Sequence, residues 1–190
     1  LAPAVRAGLV EPTGIIVDAA SGVSGAGRPP KANTTFCTVD EDFTAYGLLN
    51  HRHTPEIEQV LSTAADGTPG TAAQVLFTPH LAPMNRGILA TCYARPIGSH
   101  TTASLLEHYR AFYDGEPFVV VDERSPSTKA TLGSNSVHVT VRVDERTGWV
   151  MAIAALDNLT KGASGQAVQC ANLALGLDET SGLDTIGVYP

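Results

Sequence analysis

VHVTVRVDERTGWVMAIAAL, residues 137–156, carries the clearest secondary-structure signal in the chain. Val137, Val139, Val141 and Val143 alternate with His138, Thr140 and Arg142. Successive side chains of a strand point to opposite faces, so this pattern predicts a strand with one apolar and one polar face. Residues 145–148 turn the chain, and residues 149–156 return as an almost wholly apolar run. Such a run predicts a strand buried on both faces. Together they form a long antiparallel hairpin.

Upstream of the hairpin, residues 102–113 read as an amphipathic helix. Leu105, Leu106, Tyr109 and Phe112 form its inner stripe and Gly115 ends it. Residues 118–121 are a short apolar strand. Residues 74–79 and 87–95 are two further strands, with Pro79, Pro83 and Asn85 in the bend between them. Residues 53–65 carry a helix start: Thr54 as N-cap, Pro55 at the first helical position, Glu56 at the positive dipole end. Ile57, Val60 and Leu61 then give its apolar face, and residues 66–70 break it. Residues 14–20 are a buried-strand candidate. The next stretch, SGVSGAGR at 21–28, holds three glycines and two serines and is turn-rich. Residues 29–50 read as an irregular connection. At the start of the chain, Leu1, Val5 and Leu9 recur at helical spacing, the pattern of a helix cut from something longer.

Downstream, residues 157–165 form a polar loop, residues 166–175 a closing helix, and Gly176 its stop. About six strands and four helices, with strands adjacent in sequence, predict an α+β domain: a mixed, largely antiparallel sheet with helices on one face.

Composition narrows the function. The 190 residues suit one domain. Twelve Lys plus Arg stand against 19 Asp plus Glu, a net charge of -7 with no basic patch, so nucleic acid is not an expected partner. No apolar run approaches the roughly 20 residues of a membrane span, and residues 1–10 lack the features of a signal peptide. Cys37, Cys92 and Cys170 are odd in number and show no CxxC spacing, which predicts reduced thiols with neither a disulfide framework nor a metal site. Cys92 and Cys170 read as core residues.

Three places could carry chemistry. His51, Arg52 and His53 precede a helix start, where two imidazoles and a guanidinium make an acid/base and anion site or an exposed basic loop. Asp157, Asn158, Thr160, Lys161 and Gly162 share one loop, with Gln166 and Gln169 on the next helix. They would hold a carboxamide or phosphate, or simply hydrogen-bond among themselves. Arg86 lies between two strands, as an anion clamp or as a structural arginine. No phosphate-binding glycine loop opens a helix: SGVSGAGR matches one by composition alone, and two prolines follow it.

Taken in order, SGVSGAGR (21–28), HRHTPEI (51–57), FTPHLAPMNRGILATCYA (77–94), GSN (133–135) and DNLTKGASGQAVQCANLALGL (157–177) resemble the N-acetyl-gamma-glutamyl-phosphate reductases of arginine biosynthesis. The resemblance covers nearly the whole chain. It implies a fold like the C-terminal domain of the glyceraldehyde-phosphate and semialdehyde dehydrogenases. Residues 1–190 then form the catalytic and dimerisation domain. An N-terminal NADP-binding domain lies outside the chain, and a closing helix at 162–177 faces that domain. The family reaction uses a cysteine thioester and hydride from NADPH. His51 matches the catalytic histidine. His53, Arg52 and Arg86 match substrate or phosphate contacts, with Tyr46 and Ser21 near the substrate. Asn158, Lys161, Gly162 and Gln166 match the cofactor-facing loop.

The family's cysteine motif, N-P-G-C-Y-P, has no counterpart among Cys37, Cys92 and Cys170. The resemblance therefore implies a chain inactive by itself, a small-molecule substrate, a homodimer or homotetramer built through the sheet face, and a cytoplasmic location. The competing readings are an aspartate-semialdehyde-type acyl-phosphate reductase and a non-catalytic domain reusing the fold.

Overall fold

The computed structural model describes residues 1–65 and 72–189. Seven strands form one sheet in the order β2-β3-β1-β4-β7-β6-β5. They are β1 (Ile15–Gly22), β2 (Thr44–Ala45), β3 (Val75–Ala82), β4 (Ile88–Ala94), β5 (Val119–Val121), β6 (Val137–Asp144) and β7 (Trp149–Leu156). The β1/β3 and β5/β6 pairs are parallel and the other four antiparallel, the mixed sheet expected. The helices are α1 (Ala2–Arg6), α2 (Phe36–Val39), α3 (Thr54–Ala64), α4 (Thr102–Phe112) and α5 (Gly165–Ala174).

One face of the sheet is covered. Ile15, Val17, Val75, Ala94, Val141, Val150 and Ala152 meet Val5, Leu61, Leu105, Leu106 and Tyr109 from α1, α3 and α4 in a single core. Fully burying a side chain such as Leu105 or Ile15 contributes about 1.5–3 kcal/mol. α4 starts as a capping box, with Ser104 N–H donating to Thr101 Oγ1 and Thr101 N–H to Ser104 Oγ, both at 3.1 Å. α3 fastens the start of β3: Glu58 Oε1 accepts the Val75 N–H at 3.0 Å and Ser62 Oγ the Ala73 N–H at 2.8 Å.

Several expectations shift. The hairpin of residues 137–156 stands, with Val137 paired to Leu156 and Asp144 to Trp149. However, the two faces of β7 are covered unequally: Val150 and Ala152 are buried on one, while on the other Trp149, Met151 and Ile153 are half-buried and only Ala155 is fully covered. α1, α3 and α4 lie on the first side, so most of the apolar run is covered once within this chain. The strands at 74–79 and 87–95 are not neighbours, because β1 lies between them. Pro79 sits inside β3 rather than in the bend. Its carbonyl accepts the Tyr46 N–H at 3.0 Å, which costs nothing in a residue that lacks only the donor.

The helix expected at 53–65 spans Thr54–Ala64, with His53 as the cap residue and Thr54, read as the cap, first inside. Its expected break at residues 66–70 lies outside the described residues. The connection at 29–50 contains α2 and β2, and one 3-10 turn, Val23–Ala26, follows β1. The loop at 157–165 is largely a π-type turn, Thr160–Ser164, continuous with α5. Cys170 is exposed, not core, because α5 buries only Gly165 and Asn172.

Candidate active site

The paired row Ser21, Ile88, Leu156 and Val137 marks one end of the sheet. The loops that leave it carry most of the predicted residues. Arg86 stands in the bend before β4 and Asp157 follows the last residue of β7. Asp157 has no exposed surface. Its Oδ1 accepts the Leu159 and Thr160 N–H groups at 2.8 and 2.9 Å, and its Oδ2 accepts the Gly133 N–H at 2.7 Å. Arg86 Nη2 donates to the same carboxylate and to Thr160 Oγ1, each at 2.9 Å. Burial opposes the charge of Asp157. The Gly133 amide, the Arg86 guanidinium and the Thr160 and Leu159 amides outweigh that cost and hold its carboxyl below the ordinary value. The Arg86 Nε–H is buried without an acceptor, a cost of about 1–3 kcal/mol.

Asn158 is nearly buried and both ends of its amide are engaged. Its Oδ1 accepts the Gly87 N–H at 2.7 Å, and its Nδ2 donates to Ser24 Oγ at 2.9 Å. Ser24 in turn donates to the Asn85 carbonyl at 2.7 Å. Asn158 thus joins the ends of β1, β4 and β7. Lys161 turns inward: Nζ donates to Gln169 Oε1 at 2.7 Å and lies 5.3 Å from the Phe118 ring centre. Burial pushes its pKa down, against the raising effect of Glu179 and other acidic neighbours. Gln169 also accepts from Asn135 Nδ2 at 2.9 Å and donates to Glu179 at 2.6 Å. Gly162 and Gln166 are exposed on the adjoining turn. Ser21 is half-buried and donates to the Gly22 carbonyl at 3.2 Å.

His51 belongs to a second group, on the helix-covered side of β3. Its ring meets Tyr46, His53 and Phe77 edge-on, at 5.5, 4.8 and 5.2 Å between centres. The loop bends sharply here. Gly47 has φ +57°, and a Cβ at that position would lie 3.0 Å from His51 Cδ2. The His53 N–H donates to His51 Nδ1 at 3.2 Å. An accepting Nδ1 carries no proton, so neutral His51 presents Nε2–H as a donor. Burial lowers its pKa, and the positive charges of His53 and Arg52 lower it further, against a smaller opposing effect of Glu56. Tyr46 is raised by burial, with Arg52 pulling the other way. Arg52 itself is exposed.

The structure therefore gathers His51, His53 and Tyr46 in one place, and Arg86, Asn158 and the turn of Lys161 in another. The reading of a loop hydrogen-bonded within itself holds for Asp157 and Thr160, whereas the reach of Gly133 and Arg86 to the same carboxylate had no signal in the sequence. The adjacency of Asp157 and Asn158 at a strand end was visible, but the loss of all exposed surface at Asp157 was not. Among the described residues, no group of three or more His, Cys, Asp or Glu side chains could hold a metal ion, and no helix is long and apolar enough to cross a membrane.

Residues 1–158 match the family described as semialdehyde dehydrogenase, dimerisation domain. Over its whole length the chain is 53% identical to the N-acetyl-gamma-glutamyl-phosphate reductase of Citrifermentans bemidjiense, of which it covers 55%. It is 48% identical to that of Moorella thermoacetica, again over all of this chain and 54% of the relative. The chain spans about half the length of the curated relatives it matches. Among solved structures it resembles aspartate semialdehyde dehydrogenase II from Vibrio cholerae, with a TM-score of 0.69 at 18% identity, over 92% of this chain and 57% of that one. That likeness concerns the fold.

Proposed function

The chain belongs to the semialdehyde dehydrogenase dimerisation-domain family, and we propose that it is the catalytic and dimerisation part of an NADP-dependent N-acetyl-gamma-glutamyl-phosphate reductase. The observation that carries this reading is 53% identity to such a reductase along the whole chain. In the complete protein a cysteine thiolate outside this chain displaces phosphate from the acyl phosphate to form a thioester, whose reduction gives the semialdehyde. NADPH, when bound, supplies the hydride.

This chain's own residues prepare that chemistry. His51 Nε2–H donates to the acyl oxygen as negative charge gathers there, its ring aimed by the His53 N–H and the edges of Tyr46 and Phe77. His53, Arg52 and Tyr46 stand round the same ring and meet the substrate. Arg86 binds an anionic group of it, and Ser21 lines the approach. The exposed Gly162 backbone and Gln166 amide fit a nicotinamide carboxamide. Asn158 and Lys161, whose polar atoms are engaged within the chain, keep that turn in shape. Val168 and Leu173 on α5, and Leu177 beyond it, are exposed apolar groups suited to packing against an NADP-binding domain.

The open sheet face carries Ile16, Leu76, Leu89, Tyr93, Met151 and Ile153, the apolar surface a homodimer needs. The reading places the enzyme in the cytoplasm, and gives this chain alone neither turnover nor tight NADP binding. Phosphate-dependent NADP reduction by the complete gene product with N-acetylglutamate semialdehyde tests it. Turnover is expected, with a His51→Ala loss of about 100-fold or more in kcat. Absent turnover in the wild type overturns the reading.

A further inference from the structure

Asp157 is not among the residues proposed to meet substrate or cofactor, and a role for it rests on the reading of Arg86 as an anion-binding residue. Three separate segments converge on its carboxylate: the Gly133 amide, the Leu159 and Thr160 amides, and the Arg86 guanidinium, at 2.7 to 2.9 Å. Asp157 is sealed from solvent, whereas the Arg86 side chain is 31% exposed. Arg86 lies on the wall of an open cavity of about 590 Å³, together with Asn85, Thr128, Lys129 and Gly133. Met84, Leu132 and Val188 complete the wall, which carries no carboxylate; its cations are Lys129 and Arg86, the latter held from behind by Asp157. The Lys129 charge and the exposed part of the Arg86 guanidinium on this wall favour an oxyanion. Arginine is a long side chain with much rotamer freedom to lose on binding. Here the bonds from Nη2 to Asp157 and Thr160 remove that freedom before any ligand arrives.

The geometry points to Asp157 as a positioning residue, the buried anchor that presents the Arg86 guanidinium to an oxyanion of the substrate in the cavity shared with Lys129. The oxyanion is a phosphoryl or a carboxylate group, and the proposed acyl phosphate carries both.

The reverse reaction of the complete gene product separates the two. KM values for inorganic phosphate, N-acetylglutamate semialdehyde and NADP are measured for wild type, Asp157→Asn, Arg86→Ala and the double variant, with the melting temperature of each. Asparagine keeps one oxygen for the Leu159 and Thr160 amides but loses the charge that holds Arg86. Asp157→Asn should therefore raise the KM for phosphate or for the semialdehyde about tenfold or more, while kcat and the KM for NADP stay within about threefold. A rise for phosphate identifies a phosphoryl subsite, and a rise for the semialdehyde a carboxylate subsite.

The double variant should be no worse than Arg86→Ala, since Asp157 acts through Arg86. Should Arg86→Ala fail to fold, Lys129→Ala, on the exposed side of the cavity, must raise the same KM. A lower melting temperature with all three KM values unchanged, or raised together, overturns the proposal. If the wild type shows no turnover, the reductase reading fails. Equilibrium dialysis with inorganic phosphate and with N-acetylglutamate then decides: binding weakened about tenfold in Asp157→Asn supports the anchor, and equal or absent binding overturns it.

Discussion

The loop that carries His51 and the strand end that carries Asp157 both hold an ionisable side chain, by different means. His51 is half-buried and set by ring edges and one 3.2 Å backbone bond, on a loop that needs left-handed backbone at Gly47 and Leu49. Asp157 is sealed in and set by two amides of its own turn and by the Gly133 amide and Arg86 guanidinium from elsewhere in the chain. An imidazole that donates at a reacting oxygen has to stay reachable, and so gains little from the fold. A carboxylate that only orients others can be buried, provided each lone pair finds a donor. Here the group nearest the proposed chemistry is the loosely held one, and the group behind it is fixed.

The largest effect that sharpens this contrast concerns stability. Asp157→Ala leaves three amides without their acceptor and Arg86 without its counter-charge, and should cost about 3–5 kcal/mol in urea denaturation. His51→Ala should cost about 1 kcal/mol or less, since its contacts are few and partly wet. Equal losses at the two positions would erase the distinction. A smaller effect is expected next to the Asp157 turn. Gly165 is closed in by Asn135 and by the Thr160 carbonyl, which a Cβ would approach to 2.9 Å. Gly165→Ala should destabilise by about 1–3 kcal/mol through overpacking. A neutral result would show that the turn before α5 yields.

The smallest effects are in pH dependence, and the two groups respond in different windows. The Asp157 carboxyl is held below its ordinary value of about 3.9, so its contribution is complete above that value and is lost as pH falls through the lower folded one. The His51 imidazole is held below its ordinary value of about 6.5, so the folded state resists protonation. Stability from that source is complete above pH of about 6.5 and declines as pH falls towards the folded value. Urea midpoints of wild type and His51→Ala between pH 8 and 5 measure this. The wild type should lose more than the variant on acidification, and the reverse order would mean that His51 gains a negative partner.

Local patterns reached much of this molecule. Valine alternation placed β6, and the Leu105, Leu106 and Tyr109 stripe placed α4. Where the reading slipped, a distant partner had intervened. β3 and β4 read as neighbours because they are close in sequence, but β1 separates them. The apolar run of β7 read as doubly buried, although Trp149, Met151 and Ile153 on its second face are only half-buried within one chain. Cys170 read as core by residue type, on a helix whose apolar residues point outward. The polar loop after β7 read as irregular, since one π-type turn has no spacing of its own.

The sequence by itself determined the alternation of strands, the helix faces, and which imidazoles, amides and guanidinium were available for chemistry. These follow from side-chain periodicity and residue type, properties of neighbours along the chain. Only the tertiary structure decided that Asp157, 71 residues from Arg86, meets it at 2.9 Å, that Lys161 turns in toward Gln169, and that His51 carries its proton on Nε2. Burial of a charge, direction of a long side chain and choice of a tautomer depend on which donors and acceptors the fold brings within about 3 Å, and sequence spacing holds no record of that distance.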